Sequence, residues 1–78
     1  MTSGDFVRFV GSFFVENGDD LRHIMTSIPR EGVIVESNDD FIKIFSENEF
    51  CILVHEQKKM FKIKTISDDH VGAFKGFI

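Results

Sequence analysis

The side chains that could do chemistry in this chain are few and scattered. There is one cysteine, Cys51, and there are three histidines, His23, His55 and His70. Cys51 lies inside the apolar run 50–54, where burial raises the pKa of a thiol and makes it a poor nucleophile. No histidine has a second ligand four residues away, and no Cys/His cluster has the spacing of a zinc site. The sequence therefore predicts no catalytic residue, no metal site and no cofactor.

Carboxylates are the second chemical group of interest, because they recur as three pairs: Asp19-Asp20, Asp39-Asp40 and Asp68-Asp69. One hypothesis makes them metal ligands, or an acidic patch that imitates a nucleic-acid backbone. Each pair follows Gly, Asn or Ser, however, and carboxylates at such places cap helices and shape turns. No stretch has the alternating acidic ligands of a calcium loop. We interpret the pairs as caps and turns.

Cationic side chains are concentrated late in the chain. The lysine strip, defined as Lys58, Lys59, Lys62 and Lys64, contains four of the nine Lys and Arg residues. If residues 60–66 form a strand, Lys62 and Lys64 share one face, and Lys43 could join them on a curled sheet. Two interpretations stay open. The strip could bind a phosphate backbone or an acidic protein, or it could protect an edge strand from aggregation.

Two phenylalanines near Lys43 are further candidates for contact with a partner. If Ile42 and Ile44 face the core, Phe41 and Phe45 lie beside Lys43 on the open face of the sheet. Such a mixture of aromatic and cationic side chains fits what binding surfaces contain. The alternative is that this face lies under a helix.

The C-terminal segment 71–78 is apolar and contains two glycines. It either completes the core or docks into a groove on another protein. The complete set of candidate partner-binding residues is Phe41, Lys43, Phe45, Lys58, Lys59, Lys62, Lys64, Phe74, Phe77 and Ile78.

The elements that must position these side chains follow from the spacing of apolar residues. Residues 3–17 have apolar side chains at the spacing of a helix that ends at Gly18. A strand is the alternative for 6–15, because Phe and Val favour strands. A second, shorter helix begins at Asp19 or Asp20 and is closed by Pro29. These two elements predict a helical hairpin.

After Gly32 the pattern is that of strands. Short apolar or alternating runs at 33–35, 41–45, 50–54 and 60–66 are separated by short turns, which predicts an antiparallel meander. Residues 67–78 predict a short helix. The chain is thus expected to be one α+β domain, residues 1–78, with an N-terminal helical hairpin, a meander of three or four strands and a short C-terminal helix. By strand count alone, the strand half resembles small SH3-like barrels.

Composition limits the function further. Ten of the 78 residues are Phe, with no Trp or Tyr, so a dense core or a homodimer must stabilise a chain that has no internal disulfide. The net charge of −4 argues against bulk, non-specific DNA binding. No stretch resembles a secretory signal or is long enough to span a membrane. The lone cysteine fits a reducing compartment, so we expect a cytoplasmic protein with no membrane partner.

These observations favour a small interaction module that binds another protein and has no enzymatic activity. Its expected role is regulatory or inhibitory, acting by occlusion of a partner's surface. Size and composition alone make it similar to accessory proteins of phage and mobile elements. One alternative is a nucleic-acid-binding regulator that uses the lysine-rich strand. Another is a structural homo-oligomer subunit, such as a homodimer.

Overall fold

The computed structural model describes residues 1–66, which form antiparallel strands and one short 3₁₀ helix. The elements are β1 (Phe6–Asn17), β2 (Asp20–Ser37), β3 (Phe41–Ser46), β4 (Glu49–Val54), the 3₁₀ helix (His55–Met60) and β5 (Phe61–Thr65). The strand order is β2-β3-β4-β1-β5, and β1 also pairs with β2. Because β1 pairs with β2 along one edge and with β4 and β5 along the other, the sheet closes into a small β-barrel.

The predicted N-terminal helical hairpin is wrong, and with it the α+β class. The two segments are the long strands β1 and β2 of one β-hairpin. Asn17 pairs with Asp20 across the turn at Gly18 and Asp19, and Gly18 has a φ of 66°. Glycine adopts this left-handed conformation without strain, which suits a two-residue hairpin turn. The strand alternative for residues 6–15 is therefore the correct one.

The sequence of β1 imitates a helix because both of its faces are covered. Val7, Phe9, Phe13 and Val15 point into the core, as a period of two requires. On the opposite face Val10 is buried as well. Apolar residues on both faces of a central strand hide its alternation. The remaining pattern of apolar residues then matches the period of a helix by chance.

The long hairpin bends where β1 passes β5. Gly11 has a φ of 113° and pairs with Thr26 on one side and Phe61 on the other. Opposite this bend the register shifts, because residues 27–29 of β2 face the single residue Val10. Pro29 lies in this interruption of the ladder, where a proline is tolerated. It bends a strand and does not close a helix.

The meander was predicted in part. The strands expected at 41–45, 50–54 and 60–66 are present as β3, β4 and β5, and β2, β3 and β4 are neighbours in chain order. Glu47 and Asn48, with φ values of 52° and 64°, form the two-residue turn between β3 and β4. A 3₁₀ helix replaces the turn expected at 55–58, and it leads β5 to pair with β1. The predicted C-terminal helix lies outside the described residues.

The core contains fewer phenylalanines than the composition suggests. Eight of the ten Phe lie within residues 1–66, but of these only Phe9 and Phe13 belong to the buried core, where their rings meet edge to face with centroids 5.3 Å apart. Cys51 is fully buried, as predicted. The remaining buried core residues are Val7, Val15, Ile34, Ile42, Ile44 and Leu53. Several Phe side chains are therefore left on the outside of the barrel.

Candidate protein-binding face

A row of apolar side chains crosses the outside of the barrel from β1 to β4. Phe6 pairs with Val33, Val33 with Phe45, and Phe45 with Phe50. Each of the four side chains is 41–45% exposed. Directly opposite residues share a face of a sheet, so the four form one continuous surface. We call Phe6, Val33, Phe45 and Phe50 the aromatic row.

The outward direction of the row follows from the burial of its neighbours. In β3, Ile42 and Ile44 face the core, so Phe45 must point outward. In β4, the burial of Cys51 places Phe50 outside in the same way. The rings of Phe45 and Phe50 meet at a centroid distance of 5.1 Å and an angle of 55°. Mutual packing fixes the orientation of these two rings.

Lys43 extends the aromatic row at β3. Its Nζ lies 4.9 Å from the centroid of the Phe50 ring and 2.8 Å from Oε1 of Glu16. The cation therefore contacts the ring while a carboxylate neutralises its charge. Phe41 is on the same face of β3, half-buried and opposite Val54. The predicted geometry, with Phe41 and Phe45 flanking Lys43, is confirmed.

Arg30 lies across the inner side of the barrel near the β3–β4 turn. Its guanidinium is 5.4 Å from the Phe13 ring centroid, and its nitrogens lie 3.1 Å from carboxylate oxygens of Glu47 and Glu49. Burial lowers the pKa of Arg30, but the hydrogen bond that its guanidinium donates to Glu49 and the charge of Glu47 outweigh burial and raise the pKa. The cation is held by the protein's own acids. Sequence reasoning missed this cluster, because its members come from distant parts of the chain.

The lysine strip occupies an edge of the barrel. Lys58 and Lys59 are exposed in the last turn of the 3₁₀ helix. Lys62 and Lys64 share one face of β5, opposite Val10 and Arg8 of β1. Among the described strands β5 pairs with β1 alone, so it is an edge strand. Lysines at such an edge hinder pairing with another chain.

The structure separates Lys43 from the lysine strip. β4 and β1 lie between β3 and β5 in the strand order. The predicted joining of Lys43 to Lys62 and Lys64 on one curled face is therefore wrong. Phe74, Phe77 and Ile78, the remaining candidates, lie outside the described residues.

Ser12 and His23 form a hydrogen bond that sequence reasoning missed. The His23 ring also contacts Phe14, with centroids 5.2 Å apart. A Ser–His pair can begin a nucleophilic site, but Ser12 is buried. Within residues 1–66 no carboxylate contacts the imidazole to orient it. A β-hairpin centred on Gly18 brings these positions onto one face, so the pair was predictable only from the strand alternative.

The remaining titratable side chains of residues 1–66 form no further site. Burial raises the pKa of the Cys51 thiol, although the nearby Arg30 lowers it in part. Asp39, Asp40 and Glu56 border a shallow depression together with Val54. Among residues 1–66 no group of three or more His, Cys, Asp or Glu side chains could hold a metal ion.

Comparison with protein-family models, curated proteins and solved structures gives no match to this chain. Within the described part of the chain, no helix has the length and apolar character needed to cross a membrane.

Proposed function

We propose that this protein is a protein-binding module that acts without catalysis and contacts its partner through the aromatic row. The observation that supports this proposal is the register. Four strands each contribute one half-exposed apolar side chain to the same line, and three of the four are Phe. A contiguous exposed apolar surface is a feature of interaction sites, and aromatic residues are enriched in them.

Charge distinguishes a protein partner from nucleic acid at this face. A surface that stacks bases needs exposed rings with available cations beside them. Lys43, beside the aromatic row, is paired with Glu16, and Arg30, on the inner side of the barrel, is paired with Glu47 and Glu49. Because carboxylates already neutralise these cations, the cations are poorly placed to bind phosphates. The local chemistry favours an apolar protein surface.

The barrel also explains how a module of this size can act by occlusion. The row lies on paired strands and not on loops, so binding requires little ordering of the backbone. A rigid face can cover an apolar surface of the partner and block its use. This mechanism supports a regulatory or inhibitory role for the module.

The experiment compares variants of the aromatic row with variants of the lysine strip. The partner is captured from native lysate with and without nuclease, identified and purified, and then titrated against each variant. Replacement of Phe45 and Phe50 by Ser should weaken binding by about 30-fold or more, the effect of losing an interface hot spot. Both positions are half-exposed, so the variant should remain folded, and a native circular dichroism spectrum with cooperative thermal unfolding is the folding control.

The matched control replaces Lys62 and Lys64 by Glu. We expect binding to change by less than about threefold, because these lysines lie outside the row. If nuclease abolishes capture, or if the lysine variants lose binding while the Phe variants retain it, the protein-binding proposal fails. The nucleic-acid alternative then becomes the better account.

A further inference from the structure

Two edges of the barrel have no second strand partner among residues 1–66, and they are protected to different degrees. β5 carries lysines along its edge, as described above. Residues 20–26 of β2 pair with β1 on one side, whereas β3 pairs only with residues 33–37. The other side of 20–26 has no strand partner among the described residues. Leu21 and Met25 lie on this edge strand with 57% and 70% of their side chains exposed, which makes it a template for strand pairing.

We propose that this edge of β2 pairs with the same edge of a second copy of the chain. The result is a two-fold symmetric dimer in which the two sheets are continuous. The proposal concerns a different surface from the aromatic row, and the module would keep that row free for its partner.

The side chains of the edge strand are self-complementary in one register. An antiparallel pairing centred on His23 places Leu21 of each copy opposite Met25 of the other. In β1 the partners of Leu21 and Met25 are Glu16 and Ser12, so both apolar residues share the outer face with His23. Two Leu–Met contacts then flank the two-fold axis. Each contact removes exposed apolar side chains from water.

The charged residues of the β2 edge are also compatible with the register centred on His23. Asp20 falls opposite Thr26, and Arg22 falls opposite Ile24, so no like-charged carboxylates or guanidiniums face each other. A register centred one residue earlier would instead place two Arg22 side chains directly opposite, which destabilises strand pairing. Charge and apolar contacts thus favour the register centred on His23 over the one centred on Arg22.

A second copy suits this edge better than a foreign strand for two physical reasons. A domain of this size buries a smaller share of its surface than a larger domain does, and self-association is a common remedy. Pairing about a two-fold axis also uses the same edge in both copies, so the assembly closes at two.

The test is analytical ultracentrifugation of the full chain over a hundredfold range of concentration. We expect a monomer–dimer equilibrium. Met25→Lys should raise the dimer dissociation constant by about tenfold or more, because a lysine on the edge hinders pairing. Leu21→Lys should do the same, and it is the second variant if the first fails to fold. Ile28→Lys is the matched control, since Ile28 is 73% exposed but lies in the interrupted stretch of β2.

The register of the proposed dimer is tested separately by disulfide cross-linking between the two copies. His23→Cys should form an intermolecular disulfide on mild oxidation, whereas Lys62→Cys on the β5 edge should not. A chain that stays monomeric throughout, an equal effect of Ile28→Lys and Met25→Lys, or a strand of another protein on this edge would overturn the proposal. The Phe45 and Phe50 variants leave the dimer intact, so failure here is distinct from failure of the proposed function.

Discussion

At the scale of the residue, burial determines the chemistry of Cys51. Because burial raises the pKa of this thiol, it stays protonated at neutral pH and reacts slowly with thiol reagents. We expect disulfide exchange with an aromatic disulfide at pH 8 to be slow in the native protein and fast in denaturant. An equal rate in both conditions would contradict the burial of Cys51.

The same pKa shift predicts a pH dependence of stability. A thiol whose pKa is raised by folding contributes stability below its unfolded pKa, and that contribution is lost as the pH rises through the folded pKa. The free energy of unfolding should therefore fall in the alkaline range. Cys51→Ala should remove this part of the fall in urea titrations at several pH values. If the alkaline fall in the free energy of unfolding is the same in Cys51→Ala, groups other than this thiol cause it.

Arg30 provides the second residue-scale prediction. Its side chain is 18% exposed and pairs with both Glu47 and Glu49, whereas Arg22 is 60% exposed and, among residues 1–66, pairs with Glu49 alone. Arg30→Ala should lower the free energy of unfolding by about 2 kcal/mol, since it removes charged hydrogen bonds and packing on Phe13. Arg22→Ala, the matched control, should cost less than about 0.5 kcal/mol. Equal losses for the two variants in urea titrations would refute this assignment.

At the scale of the element, Gly11 allows β1 and β5 to pack closely, because it has no side chain. A Cβ on this residue would collide with the Met60 carbonyl oxygen and lie 2.7 Å from Cα of Phe61. Gly11→Ala should therefore destabilise the barrel by about 3 kcal/mol, combining a strained φ with a backbone clash. Gly4 has a similar φ of 95° with nothing within 4 Å, so Gly4→Ala should cost only about 1 kcal/mol. Thermal unfolding of both variants measures the difference, and similar losses would mean that β5 does not pack closely on β1.

The elements also show which parts of the fold were predictable. β3 alternates buried and exposed residues, so its bounds and the outward direction of Phe45 follow from its sequence. β1 is covered on both faces, so the spacing of its apolar residues is compatible with a helix as well as with a strand. Gly18 fits a helix end and a hairpin turn equally well. Local sequence therefore could not distinguish the helical hairpin from the β-hairpin.

The candidate site was less predictable than the strands, because it depends on how distant strands pair and not on local sequence. Of the aromatic row, sequence analysis selected Phe45 alone, because alternation within one strand is a local property. Phe6 and Phe50 join it only through the register of four strands, which depends on how the barrel closes. Residues 55–60 gave no signal that β5 would leave the meander and pair with β1.

At the scale of the whole molecule, barrel closure distributes the chain's chemistry over separate surfaces. The aromatic row crosses β1 to β4, the lysine strip lies along β5, and the edge proposed for dimerisation belongs to the first half of β2. Closure pairs backbone N–H and C=O groups that strand edges would otherwise leave unpaired. Among residues 1–66, one remaining edge carries lysines and the other exposes Leu21 and Met25. The two proposed contacts therefore use separate surfaces of the barrel.

The most direct test of the central claim is site-specific photo-crosslinking in living cells. A photoreactive phenylalanine analogue replaces Phe45 in one variant and Lys62 in another, both at exposed positions. The protein-binding account predicts a discrete, nuclease-resistant adduct with one other protein from position 45, and no such adduct from position 62. Adducts with nucleic acid, or a protein adduct from position 62 alone, would contradict it.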